Sequence, residues 1–142
     1  SSAPINPREI TTLINTAESA GAVLDIVDSL IDSPLFNVIH VSVAFSKLAK
    51  VKDTIDDLDR ESASLARLVD HLRFLLRRCA LDAQGTANVI WAIASMQEQL
   101  PELMPLLPDF EAVLDTRVKD LKPQEVPNIL YASATCEMDD AF

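Results

Sequence analysis

The residue types that could support catalysis are few and widely separated. His40 and His71 are the chain's two histidines, and neither has a nucleophile at a recognisable spacing. Cys79 and Cys136 are also too scattered to form a zinc pattern with them. The sequence therefore predicts that this chain is not an enzyme and holds no metal ion.

Loops that bind phosphate or calcium are not indicated either. The two glycines, Gly21 and Gly85, stand alone, whereas a phosphate-cradling loop needs several close together. The acidic pairs at 56–57 and 139–140 lack the alternating pattern of a calcium loop. We therefore expect no cofactor, and the question becomes which surfaces the fold presents.

A four-residue pattern of asparagine, two aliphatic residues and a ring occurs three times. The copies are Asn37 to His40, Asn88 to Trp91 and Asn128 to Tyr131. The second and third copies are 40 residues apart, and the first and second are 51 apart. A unit of this length is typical of a helical solenoid, in which each repeat buries its apolar face against its neighbours. The pattern predicts an all-α fold, an α-solenoid of antiparallel helix pairs.

The apolar periodicity predicts about seven helices. The first is capped by Asn6, has Pro7 in its first turn and ends at Gly21. Between residues 52 and 60 we expect an acidic loop or an extra turn. The other predicted helices cover residues 22–31, 35–50, 61–80, 81–97, a stretch within 101–121 that begins at 109 or before, and a last one from 123.

We expect one helical-repeat domain over residues 1–142. It divides into an N-terminal helical unit (1–51), an acidic linker with the longest helix (52–80), a repeat (81–120) and an incomplete repeat (121–142). The last helix lacks the partner that would complete its repeat, which favours assembly with further structure.

Charge and cysteine content restrict the partners and the compartment. The net charge is −10, and residues 81–142 hold 11 of the 22 acidic side chains but only 3 basic ones. This balance is opposite to that of most nucleic-acid-binding proteins, and no DNA partner is expected. The two cysteines fit reduced core thiols in a reducing compartment. The longest uncharged stretches, 33–46 and 83–97, are shorter than a membrane span, although peripheral association with a membrane complex is compatible with them.

One locally basic surface is predicted on the longest helix. Its basic residues recur at nearly whole numbers of helical turns, with an aromatic ring beside them. This arginine face comprises Arg60, Arg67, His71, Phe74 and Arg78. It would suit an acidic protein patch or a run of RNA phosphates. Equally, it could be a solvated face paired with the acids Asp56, Asp57, Asp59 or Asp70.

The repeated asparagines and rings have two interpretations. Asn37, Asn88 and Asn128 could read RNA bases, but an asparagine that bonds a backbone group at a helix crossing is favoured. Trp91 and Tyr131 could stack on bases, although packing anchors are favoured for both. The six pattern residues (Asn37, His40, Asn88, Trp91, Asn128 and Tyr131) are therefore predicted to pack one repeat on the next.

The stretch from Leu121 to Ala134 reads Leu-x-Pro-Gln-Glu-x-x-Asn-Ile-Leu-Tyr-Ala-x-Ala. This pattern resembles the octotricopeptide repeat, which also appears in proteins related to the FAST-kinase and RAP-domain group. Residues 6–51 look like the helical region that often precedes such repeats, so the resemblance covers nearly the whole chain. It implies a non-catalytic α-solenoid in a plastid or mitochondrion, where family members bind RNA and control its processing, stability or translation.

These observations lead to two functional expectations. The favoured one is a non-catalytic interaction or scaffold subunit, bound to other protein subunits of a larger organellar assembly. The alternative is an RNA-binding repeat protein of organellar gene expression. A plastid location is slightly favoured over a mitochondrial one.

Overall fold

The computed structural model describes residues 6–117. All regular structure in this part is helical, which confirms the predicted all-α class. The α-helices are α1 (Pro7–Thr16), α2 (Ala20–Leu30), α3 (Val38–Lys50), α4 (Asp57–Arg60), α5 (Ala63–Arg77), α6 (Ala83–Ser95) and α7 (Asp109–Arg117). Two 3-10 helices cover Lys52–Thr54 and Pro101–Leu106. The helix predicted from residue 123 lies outside the described residues.

The helices form two layers. In the first layer α3 packs between α1 and α6, and its contact with α6 is the most extensive in the fold. In the second layer α5 packs between α2 and α7. Each helix of the first layer also contacts the second-layer helix that follows it in the chain: α1 with α2, α3 with α5, and α6 with α7. This packing is consistent with a helical solenoid or bundle, and the 40-residue period stays a prediction.

One continuous apolar core lies within this stack. Phe45 of α3 and Phe110 of α7 are among its largest fully buried side chains. The apolar periodicity of the longest predicted helix places Leu65, Leu68, Leu72, Leu75, Leu76 and Cys79 on one stripe. The five leucines are buried as expected, whereas Cys79 lies beyond the helix and is only partly buried. Burial of this stripe positions the opposite face of α5, which bears the basic residues.

The first-layer helices begin with equivalent caps. The side chains of Asn6, Asn37 and Asp82 each accept a backbone N–H of the following turn, at 2.7–3.0 Å. An asparagine or aspartate in this position satisfies a donor that the helix itself cannot. These three residues therefore set the register in which α1, α3 and α6 can be compared.

This register shows that the first two copies of the asparagine pattern are not equivalent. Asn37 caps α3, whereas Asn88 lies inside α6, six residues after the capping Asp82. The predicted equivalence was wrong because asparagine suits both a cap and a polar helix face, and the sequence pattern does not distinguish them.

Two predicted helix boundaries also differ from the structure. Gly21 does not end the first helix, because the Ser19 side chain accepts Ala22 N–H and starts α2 before it. The third helix begins at Val38 rather than at residue 35, since Asn37 caps it. In both cases a local side-chain cap overrides the apolar periodicity.

The longest helix is shorter than predicted at both ends. The Ser62 side chain accepts Leu65 N–H at 3.1 Å, so α5 begins at Ala63 and Arg60 belongs to the separate helix α4. At the other end the Cys79 and Ala80 N–H groups bond carbonyls of the last turn, the arrangement of a Schellman motif. Cys79 is therefore outside the helix and has a positive φ of 50°.

The left-handed backbone at Cys79 gives a testable effect on stability. Glycine adopts this conformation without a Cβ penalty, so Cys79→Gly is expected to raise the free energy of unfolding by about 1 kcal/mol relative to Cys79→Ala. Alanine is the matched control because it lacks the thiol but keeps the Cβ. Denaturant unfolding of both variants measures the difference, and a Gly variant no more stable than the Ala variant would contradict the assigned backbone conformation.

Candidate functional site

The predicted arginine face is divided by the structure. Arg60 Nη2 lies 3.1 Å from Glu102 Oε2, which joins α4 to the 3-10 helix at Pro101–Leu106. Arg67 Nη1 lies 3.3 Å from Asp28 Oδ1, and its Nη2 donates to Asp32. Both arginines therefore pair with acids of other elements.

These acids raise the pKa of Arg67 above its ordinary value. The hydrogen bond with Asp32 is the largest cause of its raised pKa, and the charges of Asp32 and Asp28 add to it. The guanidinium thus links α5 to the end of α2. This structural pairing leaves Arg67 little capacity for an outside phosphate or carboxylate.

The acids expected to pair with this face have other partners. The Asp56 and Asp59 side chains each accept the other residue's backbone N–H and so cap α4. Asp70 pairs with Arg73, with Nη1 and Oδ1 3.4 Å apart. Arg60 and Arg67 do pair with acids, but these are Glu102, Asp28 and Asp32, which lie farther away in the chain than the acids named from the sequence.

The remaining residues of the face form an exposed aromatic cluster at the end of α5. The Phe74 ring is 48% exposed, and the Arg78 guanidinium carbon lies 4.4 Å from its centroid. The His71 ring stacks on Phe74 with the centroids 6.2 Å apart. We call His71, Phe74 and Arg78 the Phe74 cluster. Arg77 adjoins it, and neither Arg77 nor Arg78 has an ion pair within residues 6–117.

The Arg78 guanidinium keeps hydrogen-bond donors available for a bound partner. The guanidinium lies over the Phe74 ring, and its N–H donors have no acidic partner within residues 6–117. A carboxylate or phosphate could accept two of these donors at once. The cluster can therefore offer an aromatic surface and a charge-assisted contact together.

A second candidate surface is the outer side of the first layer, which the sequence interpretation missed. A groove of about 440 Å³ lies beside Asn15, Ser46, Lys50 and Trp91. A further groove of about 400 Å³ continues towards Val38, Ile39 and Gln84. Both are lined by Ser42, Val43 and Asn88, so we describe them together as the α3–α6 groove.

The helix caps would have revealed part of this surface. Asn15, Ser46 and Trp91 each lie nine residues after the cap of their own helix, so the stacked helices place them side by side. Trp91 packs against the core and also lines the groove. Its predicted packing role therefore accounts for only part of its surroundings. Asn128 and Tyr131, the third pattern copy, lie outside the described residues.

Asn88 and Asn37 have different environments. The Asn37 side chain accepts Ile39 N–H at 2.9 Å and therefore bonds its own helix. This agrees with the favoured backbone-bonding role, although not across a helix crossing. The side chains of Asn15, Gln84 and Asn88 make no hydrogen bond with any residue of the described part of the chain. Their amide groups line the groove, and no described residue uses their donors and acceptors.

His40 is used as a structural residue between α1 and α3. Its ring is 1% exposed, and Nδ1 accepts Asn37 N–H at 2.9 Å. The proton must then be on Nε2, which donates to the Pro7 carbonyl at 2.9 Å. Both ring nitrogens are occupied by backbone groups, so the imidazole is not available as a base.

Among residues 6–117, no three His, Cys, Asp or Glu side chains are grouped closely enough to hold a metal ion. No helix in this range is both long and apolar enough to cross a membrane.

No protein-family model, curated protein or solved structure matches this chain. The two surfaces must therefore be interpreted from their own chemistry.

Proposed function

We propose that this chain is a non-catalytic helical-repeat subunit that binds other proteins of a larger assembly. The observation that carries the proposal is the Phe74 cluster, an exposed ring covered on one side by an arginine without an acidic partner in the described residues. Aromatic and arginine side chains are enriched among the residues that dominate protein interfaces. A helical stack holds such residues at fixed positions on its surface.

The partner surface would be acidic and partly apolar. Arg77 and Arg78 supply two positive charges at the end of α5, whereas the chain as a whole carries −10. A carboxylate that pairs with the Arg78 guanidinium while an apolar side chain covers Phe74 would use both parts of the cluster. The family resemblance adds an organellar setting to this proposal, with a plastid slightly favoured.

The test is a comparison of bound proteins after nuclease treatment. The tagged wild-type chain is incubated with an extract of the cells that express it, and retained proteins are quantified by mass spectrometry. Arg78→Glu and Phe74→Ala are expected to lower retention of the specific partner by at least about tenfold, as expected for central interface residues. Arg8→Glu is the matched control, since Arg8 is exposed on α1, far from the cluster in sequence.

The same set of proteins bound equally by all four forms would contradict the proposal. Arg60 and Arg67 are unsuitable for this test because each pairs with an acid on another element. Replacing either would disturb the contacts between elements as well as the surface.

RNA binding is the second candidate, and one observation favours it. The Arg78 guanidinium can donate hydrogen bonds to a phosphate as well as to a carboxylate. Filter binding of pooled organellar RNA at several salt concentrations should then show a log–log slope of about −0.7 per phosphate contacted. Loss of RNA affinity in Arg78→Glu would support RNA binding at the Phe74 cluster. A wild-type chain without RNA affinity would exclude this function.

A further inference from the structure

We propose that the α3–α6 groove is a second binding site, which holds an extended, weakly charged segment of polypeptide. This site is separate from the Phe74 cluster, since it is formed by helices of the first layer. The inference therefore goes beyond the proposed function and does not depend on it.

The first support is unused hydrogen-bonding capacity along the groove. Asn15, Gln84 and Asn88 line it, and in residues 6–117 their side chains have no hydrogen-bond partner. Each primary amide offers a carbonyl acceptor and an NH₂ donor. A peptide group presents the complementary N–H and C=O, so these amides can bond a bound backbone whatever its side chains are.

The second support is apolar surface at the same place. Ile39 is 60% exposed at one end of the groove, and Val43 lines it near the middle. The Trp91 ring is only partly buried and borders the other end. A partner with aliphatic side chains would remove this surface from water, which stabilises the complex.

Charge favours polypeptide over nucleic acid. Lys50 is the one charged side chain that lines the groove beside Trp91. The other charged residue in the lining, Asp82, has its carboxylate bonded to Gly85 N–H at 2.7 Å. A nucleic-acid strand would bring one phosphate for every nucleotide, and among the described residues that line the groove only Lys50 could neutralise them. A peptide with one carboxylate directed at Lys50 matches this surface.

The size of the groove sets the length of the segment. It follows α3, whose 13 residues span about 20 Å at a rise of 1.5 Å per residue. An extended chain advances about 3.3 Å per residue, so about six residues would fill the groove.

The test uses random twelve-residue peptides displayed on phage and selected against the purified chain. Trp91 is the chain's single tryptophan, so its fluorescence reports directly on groove occupancy. Titration with a selected synthetic peptide should change the Trp91 fluorescence until it reaches a plateau. Asn88→Ala should weaken its binding on the order of tenfold, because hydrogen bonds to the backbone are lost. Alanine is a better helix former than asparagine, so this variant should remain folded.

Two matched variants separate this site from other surfaces. Asp25→Ala removes an exposed side chain of asparagine's size from α2 and should leave peptide affinity unchanged. Phe74→Ala should also leave it unchanged, although that variant is expected to lose the proposed protein partner.

Three results would overturn the proposal. One is a selection that enriches no peptide, and another is a set of peptides whose affinity is insensitive to Asn88→Ala. In the third, oligouridine changes the Trp91 fluorescence to a plateau and displaces the selected peptide, which would assign the groove to nucleic acid.

Discussion

Replacing Phe45 with alanine is expected to lower the free energy of unfolding by about 3–5 kcal/mol. Phe45 is fully buried in α3, which contacts α1, α2, α5 and α6. Truncation removes apolar burial and leaves a cavity that this central helix cannot close without losing other contacts. The helix that organises both layers would therefore lose its largest anchor.

Urea unfolding followed by circular dichroism measures this loss. The matched control is Phe74→Ala, because Phe74 is the same residue type on the neighbouring helix α5 but is 48% exposed. Its truncation should change stability by less than about 1 kcal/mol. Equal losses in the two variants would contradict the assignment of Phe45 to the core and Phe74 to the surface.

The second large effect is expected for His40→Phe, at about 2–4 kcal/mol. Phenylalanine fills a similar space but cannot accept Asn37 N–H or donate to the Pro7 carbonyl. Both backbone groups would lose their partners at a site where the native His40 side chain is only 1% exposed. The variant would also weaken the cap that starts α3 and the link between α3 and α1.

His71→Phe is the control for this variant, because His71 is partly exposed and stacks on Phe74. We expect it to change the unfolding free energy by less than about 1 kcal/mol. A His40→Phe variant as stable as the wild type would show that the two backbone bonds add nothing to the fold.

The sequence predicted those features that depend on local chemistry. The cap at Asn6 with Pro7 in the first turn is present, and so is the buried leucine stripe of α5. A cap needs only a few neighbouring residues, and a stripe needs only the helical period. Both can be recognised without knowledge of the partners.

The arginine face was only partly predictable, because its outcome depends on distant residues. Arg67 pairs with acids 35 and 39 residues earlier in the chain, and Arg60 with one 42 residues later. Helical periodicity contains no information about such pairs. The break at Ser62, which separates Arg60 from α5, is a local cap that the regular charge spacing concealed.

The α3–α6 groove was missed for a different reason. The asparagine pattern aligned Asn37 with Asn88, although the caps align Asn37 with Asp82. Counting from the caps would have placed Asn15, Ser46 and Trp91 side by side. A repeat register is therefore better read from caps than from a short motif, since caps fix where each helix begins.

Site-specific photo-crosslinking at position 74 tests the central claim most directly. A photoreactive phenylalanine analogue replaces Phe74 in one sample and Leu58, which is 80% exposed on α4, in another. We expect a covalent adduct with a protein at position 74 that survives nuclease treatment, disappears with Arg78→Glu and does not form at position 58. Adducts with RNA alone, or equal protein adducts at both positions, would contradict it.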